Sequence, residues 1–254
     1  MGDDAKRWAL NADPQDQLTL LEVQRHDLEV DRARHRRASL PEAVRVAELD
    51  AAAKALDDDI TRAAVEVSDL EAEQRKADAD VDLVRLRSDK DRALLDTIND
   101  AKQLSNLQHE LESLARRQAE LEDVELEVME RLESAQKFHA GLLAQRDTVA
   151  ADLAGARDAL DAALADLADE EQIALAARAA AAEGIPADFL ALYDKLRADN
   201  GGIGAAALYR GRCEGCRIEL TPVDLGRIRE APPTEVIRCE ECRRILVRTP
   251  ESGL

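Results

Sequence analysis

Apolar residues recur at alternating intervals of three and four along much of the chain. From Val46 to Val84, eleven of twelve such positions are apolar, and Gln74 alone interrupts them. From Leu107 to Leu167 the same spacing continues over eighteen positions. Four of these eighteen are polar or charged: Gln118, Glu125, His139 and Arg146. Such a repeat is typical of a coiled-coil seam rather than of the wider apolar stripe of a globular helix. It predicts two long helices that pair along this seam.

Capping signals mark where the first helix starts and ends. Asp13-Pro14 combines an N-cap residue with a proline at the first helical position. The helix that follows is predicted to place Leu18, Leu21 and Leu28 on its inner face. It ends in the basic run 32–37, which complements the C-terminal helix dipole and could alternatively form an anion site. Residues 1–12, before the cap, are expected to form a flexible tail.

Further signals bound the paired helices. Ser39-Leu40-Pro41-Glu42 resembles a capping box with a helix-starting proline, and it predicts a kink near residues 38–42. Gly184-Ile185-Pro186 predicts the end of the last long helix. The coiled-coil hairpin is therefore expected to span residues 13–183.

The turn of the hairpin is predicted near residues 86–89. Ser88 can cap a new helix, and Asp91 follows three residues later. A tip at this place would put Leu56 opposite Gln118, because short connections make antiparallel neighbours. The repeat also slips in phase between Leu94 and Leu104, which indicates local overwinding of the coil.

All four cysteines lie in two C-x-x-C pairs, Cys213 with Cys216 and Cys239 with Cys242. A two-residue gap lets both thiolates of a turn reach one ion, and two such turns complete a tetrahedron. Four thiolates leave no open position for water, so the pattern predicts one structural Zn²⁺. Disulfides and a thioredoxin-like redox pair are the alternatives. The first residues lack the apolar core of a secretory signal, and no strand-helix-strand pattern surrounds either pair, so both alternatives are disfavoured.

Short segments surround the cysteines. Residues 184–200 are predicted to form a linker and a short docking helix that carries Phe189, Leu192, Tyr193 and Leu196 on one face. Residues 203–209, 235–237 and 245–247 are predicted strands of a zinc ribbon over 201–254. The predicted fold class is therefore mainly α, a long antiparallel coiled-coil helical hairpin with a small C-terminal β zinc ribbon.

Composition supports an extended helical protein. Aromatic residues make up 2% of the chain and charged residues 35%, which is too little apolar bulk for a thick globular core. A net charge of −19 disfavours general attraction to polyphosphate or anionic lipid. No apolar run long enough to span a membrane occurs, and free thiols without a secretory signal predict a cytoplasmic location.

The ribbon differs in charge from the rest of the chain. It holds nine arginines and eight acidic residues, a formal charge of +1, whereas the preceding residues carry −20. The arginines next to the cysteines are the candidates for contact with a partner or with nucleic acid. They are Arg212, Arg217, Arg243 and Arg244. Tyr209 is the only aromatic residue of the ribbon that could stack on a base, so solvated or internally paired arginines remain the alternative.

The hairpin offers a second candidate surface. The seam defects Glu125, His139 and Arg146 could admit a partner helix, or they could snorkel and pair locally. The hairpin satisfies its own seam yet exposes Ala and Leu, so both a monomer and a homodimer are compatible with the pattern. No Ser/His/Asp set, phosphate loop or open metal site is visible, so an enzyme is the least favoured class.

These motifs resemble a bacterial family with an N-terminal coiled-coil hairpin and a C-terminal C4-type zinc ribbon, also called DUF164. The similarity is carried by residues 213–222, 239–246, 35–42 and 126–130. It implies zinc on the four cysteines, and a role in nucleic-acid binding or as an adaptor for a sigma factor or an export apparatus. Relatives tend to have glycine directly after the last cysteine, whereas this chain has Arg243. The second knuckle is therefore expected to turn differently.

We therefore predict a non-enzymatic zinc-binding protein that acts as a nucleic-acid-binding or transcription-associated adaptor. The alternative is a protein–protein scaffold that makes no direct contact with nucleic acid. In both hypotheses an acidic coiled coil presents a structural zinc ribbon.

Overall fold

The computed structural model describes residues 10–254, and it confirms a mainly α protein with a helical hairpin and a small C-terminal sheet. The helices are α1 (Pro14–Ala38), α2 (Pro41–Leu95), α3 (Ala101–Ala182), α4 (Ala187–Asp199) and α5 (Pro222–Glu230). The strands are β1 (Ala205–Tyr209), β2 (Arg212–Cys213) and β3 (Ile245–Arg248). None of the described helices is both long and apolar enough to cross a bilayer.

The chain divides into two compact units. One, here called the base, comprises the described residues 10–43 with 159–254, and the other, the hairpin unit, comprises residues 44–158. Helices α2 and α3 run through both. In the base, Asp13 caps α1 by accepting a hydrogen bond at Oδ1 from the Gln15 amide (2.8 Å). Helix α1 ends at Ala38 and α2 begins at Pro41, on either side of the predicted kink.

The predicted seam forms the interior of the hairpin unit. Every predicted seam position on α2 is buried or half-buried, and on α3 only Arg146 is exposed. Leu49, Leu70 and Val81 are among the buried residues of α2, and Val128 and Leu142 among those of α3. The 3-4 spacing therefore identified the inner face correctly, because a heptad repeat returns side chains to the same side of a helix.

The predicted tip near residues 86–89 is wrong. Helix α2 continues to Leu95, and the turn lies at residues 96–100, where Asp100 caps α3 through the Lys102 amide (2.7 Å). Ser88 and Asp91 are buried in the seam, each 3% exposed. Asp91 accepts a hydrogen bond from Arg87 (3.1 Å). Tertiary packing thus overrides the local capping preference of these two residues.

The displaced tip also changes which residues face one another. Arg131 of α3 lies against Glu73 of α2 (3.4 Å), and Arg157 against Asp50 (2.8 Å). Both partners on α3 lie well beyond the positions that a turn near 87 predicts. The expected pairing of Leu56 with Gln118 is therefore wrong.

Helix α1 buries a different face from the predicted one. Leu18, Leu21 and Leu28 are only half-buried. The buried positions are Gln17, Leu20, Val23, Gln24, Asp27, Val30 and Ala33. Three of these seven are polar, so the apolar pattern alone pointed to the neighbouring face.

The segment before α1 is held in place where the structure describes it. The Val236 amide donates to the Leu10 carbonyl (3.0 Å), and the Ala12 amide donates to the Thr234 carbonyl (2.9 Å). Ala12 is 4% exposed. The predicted flexible tail is therefore wrong for residues 10–12, and its residues 1–9 lie outside the described part of the chain.

The sheet has the order β2-β1-β3, with β1 antiparallel to β2 and parallel to β3. One face, with Ala205, Ile245 and Val247, packs into a core with α1 and α4. The other face, with Ala206, Leu208 and Leu246, packs on the cysteines and α5. Alternation of period two places these residues on opposite faces. The sheet therefore joins the metal side of the ribbon to the helices of the base.

Three details of the ribbon differ from the prediction. The short strand β2 was not predicted. Residues 235–237 do not form a strand, and Glu235 makes only an isolated bridge, to Asn11. Helix α5 was not predicted, although Thr221 before Pro222 is an N-cap signal. The Thr221 hydroxyl accepts a hydrogen bond from the Asp224 amide (3.2 Å). A helix of nine residues is too short to show a clear apolar period.

Candidate metal centre and its surroundings

The structure brings the four cysteines together. Their sulfur atoms all lie within 4.8 Å of one another, and no other group of three or more potential ligands occurs among residues 10–254. The Cys213 and Cys242 sulfurs are 3.9 Å apart, as are those of Cys216 and Cys239. Four thiolates at about 2.3 Å from a zinc ion would be separated by about 3.8 Å in a tetrahedron. The donor set and its spacing therefore fit one tetrahedral metal ion.

Two knuckles of the same geometry supply these sulfurs. In the first, the Arg217 amide donates to the Cys213 carbonyl (2.7 Å), and in the second the Arg243 amide donates to the Cys239 carbonyl (2.8 Å). Both arginines have a left-handed backbone conformation, with φ of 59° and 63°. The expectation that Arg243 makes the second knuckle turn differently is therefore wrong. Backbone hydrogen bonds hold each arginine in a conformation that glycine adopts more easily.

The surroundings of the thiols differ. Burial raises the pKa of the Cys213 and Cys239 thiols, because a thiolate is poorly solvated there. Burial also acts to raise the pKa of Cys242, but hydrogen bonds from the main chain and side chain of Arg244 lower it overall. A metal ion would place a positive charge next to the two buried thiolates and so stabilise them.

The four candidate contact arginines do not share one role. Arg244 donates from Nε to the Ile203 carbonyl and from Nη2 to the Asn200 carbonyl, both at 2.9 Å. The Arg244 side chain also packs against Gly215: its Cδ lies 2.9 Å from the position that a Cβ on Gly215 would occupy. Arg244 is therefore held between the segment 200–203 and Gly215 of the first knuckle, and it is not a free contact residue.

The other three candidates are exposed. Arg243 pairs with Glu240 (3.1 Å), and Arg212 lies near Glu214 (3.6 Å). Arg217 makes no side-chain ion pair or hydrogen bond with any residue in the described part of the chain. Of the four predicted contact residues, Arg217 is thus the one whose guanidinium is available.

Several remaining ribbon arginines also serve the fold. Arg248 donates to four main-chain carbonyls, at 2.8 to 3.1 Å, in the segment 231–235. Arg238 donates to the Arg243 carbonyl (2.8 Å), and Arg227 pairs with Glu240 (2.5 Å). These contacts fix loops around the cysteines, because carbonyls outside regular structure need donors.

Two arginines of the basic run and one of the seam defects have local partners. Arg34 pairs with Glu171 (2.7 Å), and Arg36 pairs with Glu170. These pairs favour a solvated helix end over a dedicated anion site. Arg146 is exposed near Asp147 (3.9 Å), whereas Glu125 and His139 remain half-buried in the seam.

Within the base, a buried glutamine of α1 joins this helix to the ribbon, a role that was not predicted from the sequence. Gln24 accepts hydrogen bonds at Oε1 from the amides of Gly204 (2.7 Å) and Ala205 (3.3 Å). Its Nε2 donates to the Gly202 carbonyl (2.9 Å). One side chain thus satisfies both ends of the turn that enters β1. The signal in the sequence is a polar residue at an interior helical position, spaced by seven from Gln17.

A second missed group is centred on Asp27, which is 4% exposed. Its carboxylate accepts hydrogen bonds from the Tyr193 hydroxyl (2.6 Å) and from Arg178 Nε (2.9 Å). Arg197 lies 3.5 Å away and pairs with Asp31 (2.6 Å). Burial, and then the hydrogen bond to Asp27, raise the pKa of Tyr193 well above its ordinary value, so the hydroxyl remains a donor. Asp27 thus ties α1 to both α3 and α4.

Comparison with known proteins agrees with this architecture. Residues 23–201 match the model of the CT398-like coiled coil hairpin domain, and residues 212–246 match the C4-type zinc ribbon domain. The Mycobacterium tuberculosis uncharacterized protein Rv2229c is 39% identical over 233 residues, which cover 91% of this chain and 95% of that protein.

Solved structures show the same fold. A structure from Mycobacterium smegmatis superposes with a TM-score of 0.82 at 38% identity, covering 94% of this chain and all of that one. CT398 from Chlamydia trachomatis gives a TM-score of 0.65 at 15% identity, covering 92% and 98% of the two chains, which is a likeness of fold. Together with the hairpin and the four clustered cysteines, these matches establish that the chain belongs to the family of CT398-like coiled coil hairpin proteins that carry a C4-type zinc ribbon.

Proposed function

We propose that this protein is a non-enzymatic adaptor in which the four cysteines hold one structural Zn²⁺ and the hairpin binds another protein. The observation that carries the proposal is that the arginines of the ribbon mostly have partners within the chain. Most of its arginines bind carbonyls or carboxylates of the same chain, so few remain for phosphate.

The metal is assigned a structural role from its ligand set. Four thiolates complete the coordination sphere, so no position is left for water or substrate. The core around the cysteines is small and consists of a few apolar residues such as Leu208, Ile228 and Leu246. A domain of this size depends on its metal to remain folded. The same closed coordination supports a non-enzymatic role.

The hairpin presents apolar side chains on the faces that point away from its seam. Exposed examples on α2 are Val65 (57%), Leu83 (65%) and Leu86 (58%), and on α3 Leu126 (58%) and Phe138 (60%). Single exposed apolar residues are ordinary, but repeated ones on an otherwise charged surface favour protein partners. The net charge of −19 further favours a protein partner over a polyphosphate.

Site-specific photo-crosslinking in cells tests this function. A photoreactive amino acid would replace Leu86 or Leu126 in the hairpin, and Arg217 in the ribbon. We expect discrete, nuclease-resistant protein adducts from the hairpin positions. Adducts formed only at position 217 that disappear with nuclease would overturn the proposal in favour of nucleic acid.

Direct nucleic-acid binding is the second candidate, and one surface favours it. Arg210 lies over the ring of Tyr209, 5.2 Å from its centroid, and Tyr209 is 37% exposed. An exposed aromatic ring with a stacked guanidinium can receive a base. Retardation of single-stranded RNA or DNA by the full chain, weakened by salt and by Tyr209→Ala with Arg217→Ala, would support it. Retention of RNA binding in that double variant would remove this surface from consideration.

A further inference from the structure

A groove lies between α2 and α3 in the hairpin unit. Its volume is about 350 Å³, and it is lined by Glu66, Leu70, Arg131, Ser134, Ala135 and Phe138. Leu70 is 4% exposed and belongs to the seam, whereas Phe138 is 60% exposed. The groove is therefore apolar at its floor and bordered by an aromatic ring in contact with solvent. An exposed phenylalanine is costly to hydrate and is a frequent anchor in interfaces.

The helix around Phe138 is open on the same face. Gly141 follows three residues later, and a Cβ placed on it would meet no atom within 4 Å. Ser134, four residues earlier, is also small. Glycine inside an exposed helix costs about 1 kcal/mol relative to alanine, so helix propensity does not explain Gly141. Small residues on both sides of the ring leave room for an incoming side chain.

The charges around the groove indicate the kind of partner. Arg131 pairs with Glu73 (3.4 Å), and Lys137 pairs with Glu133 (2.6 Å). Nearby acids make no ion pair with any residue among 10–254: Glu66, Asp69, Glu127 and Glu130. Glu127 and Glu130 lie one helical turn before the lining residues Arg131 and Ser134, which places both acids close to the groove. Arg131 and Lys137, the bases of α3 at the groove, are thus paired. The four unpaired acids outnumber Arg75 and Lys76, the exposed bases of α2 in this region that make no ion pair among residues 10–254.

We propose that this groove binds a basic amphipathic segment of a protein partner, with one apolar side chain inserted beside Phe138 and flanking Lys or Arg residues against the acids. A second copy of this chain fits poorly, because it would bring a net charge of −19 toward the same carboxylates. The inference rests on the proposed adaptor function and specifies the chemistry of its partner.

The chain contains two phenylalanines, which allows a direct test by fluorine NMR. In protein labelled with 4-fluorophenylalanine, Phe138 reports on the groove, and Phe189, which is fully buried in the base, serves as an internal reference. The probe is a synthetic 18-residue helical peptide of Leu and Lys with an apolar stripe. We expect a saturable shift of the Phe138 signal and none of the Phe189 signal.

Two variants separate the apolar from the charged contribution. Phe138→Ala should weaken binding about tenfold or more, as loss of an interface anchor does. The fluorescence intensity of a fluorophore attached to the peptide measures the affinity. The combined Glu66→Gln, Glu127→Gln, Glu130→Gln variant should weaken binding and reduce its salt dependence. Matched controls are Leu83→Ala, an equally exposed apolar residue of α2 (65%), and Asp57→Asn with Asp58→Asn, exposed acids of α2.

Several outcomes would overturn the inference. Equal affinity for a peptide of the same charge without the apolar stripe would show general electrostatic attraction. Equal losses in the control variants, or binding that leaves the Phe138 signal unmoved, would place the peptide elsewhere. Self-association that Phe138→Ala abolishes would make a second copy the occupant. If crosslinks form from Leu86 or Leu126 and these peptide tests fail, the adaptor function stands and the groove is not its site.

Discussion

The hairpin unit and the base achieve stability in different ways. In the hairpin unit the interior is one seam, which the same 3-4 spacing generates from Val46 to Ala156. In the base, the interior includes buried polar side chains with individual partners, such as Gln24 and Asp27. A repeat tolerates single changes because each layer resembles the next. Buried polar groups do not, because a lost partner leaves an unsatisfied charge or dipole.

Metal removal should give the largest difference between the two units. Cys213→Ser with Cys239→Ser should abolish the binding of about one zinc per chain, since structural zinc sites contribute on the order of 10 kcal/mol. We expect the ribbon amides to lose their dispersion in ¹H–¹⁵N spectra, while helical circular dichroism changes little. Zinc content that stays intact in the double variant would contradict the assigned site.

Acidification should also weaken zinc binding at the four cysteines. Metal binding needs thiolates, and protons compete for them, so zinc affinity falls as pH falls. Burial raises the pKa of Cys213 and Cys239 without metal, so zinc binding at neutral pH should release protons from them. Titration calorimetry in buffers of different ionisation enthalpy measures this release.

Removing the Asp27 carboxylate should be the next largest effect. Asp27→Ala leaves the Tyr193 hydroxyl without its buried acceptor and Arg178 with Asp194 (2.6 Å) as its remaining partner, which should cost about 3 kcal/mol of unfolding free energy. Denaturant titration of the full chain measures it. Asp31→Ala is the matched control: this carboxylate also pairs with an arginine but is 38% exposed, so its removal should cost less than about 1 kcal/mol. Equal losses would show that burial does not set the effect.

In the hairpin unit, apolar residues in place of the polar seam residues near the tip should increase stability. Ser88→Leu with Asp91→Leu restores apolar residues at two buried positions, and should stabilise the chain by roughly 2 kcal/mol in the same titration. Asp89→Leu changes a residue whose side chain is 70% exposed and should give no gain. A destabilised double variant would mean that Asp91 and Arg87 are needed for the register of the turn.

The smallest expected effect concerns the knuckles. Arg217→Gly and Arg243→Gly should each stabilise the zinc-loaded ribbon by about 1 kcal/mol, because both residues are left-handed. Arg229→Gly, in helix α5, should destabilise it by a similar amount, since glycine is unfavourable inside a helix. Thermal unfolding with the metal bound measures these opposite signs.

The sequence predicted the repeated and the chemically specific features. The seam was identified because a heptad spacing defines one helix face without knowledge of the partner. The four cysteines were grouped because two C-x-x-C turns have few other uses. Helix α5 had a usable signal in Thr221-Pro222 but was too short for its period to be recognised.

Only the tertiary structure decided the position of the turn, the inner face of α1 and the roles of the arginines. Ser88 and Asp91 have the local chemistry of a helix start, yet packing against α3 keeps them helical and buried. Arg217 and Arg244 have the same side chain, but only Arg244 finds carbonyl acceptors from the chain segment 200–203. Local patterns determined which residues could pair or bind, whereas contacts between distant segments determined which of them do.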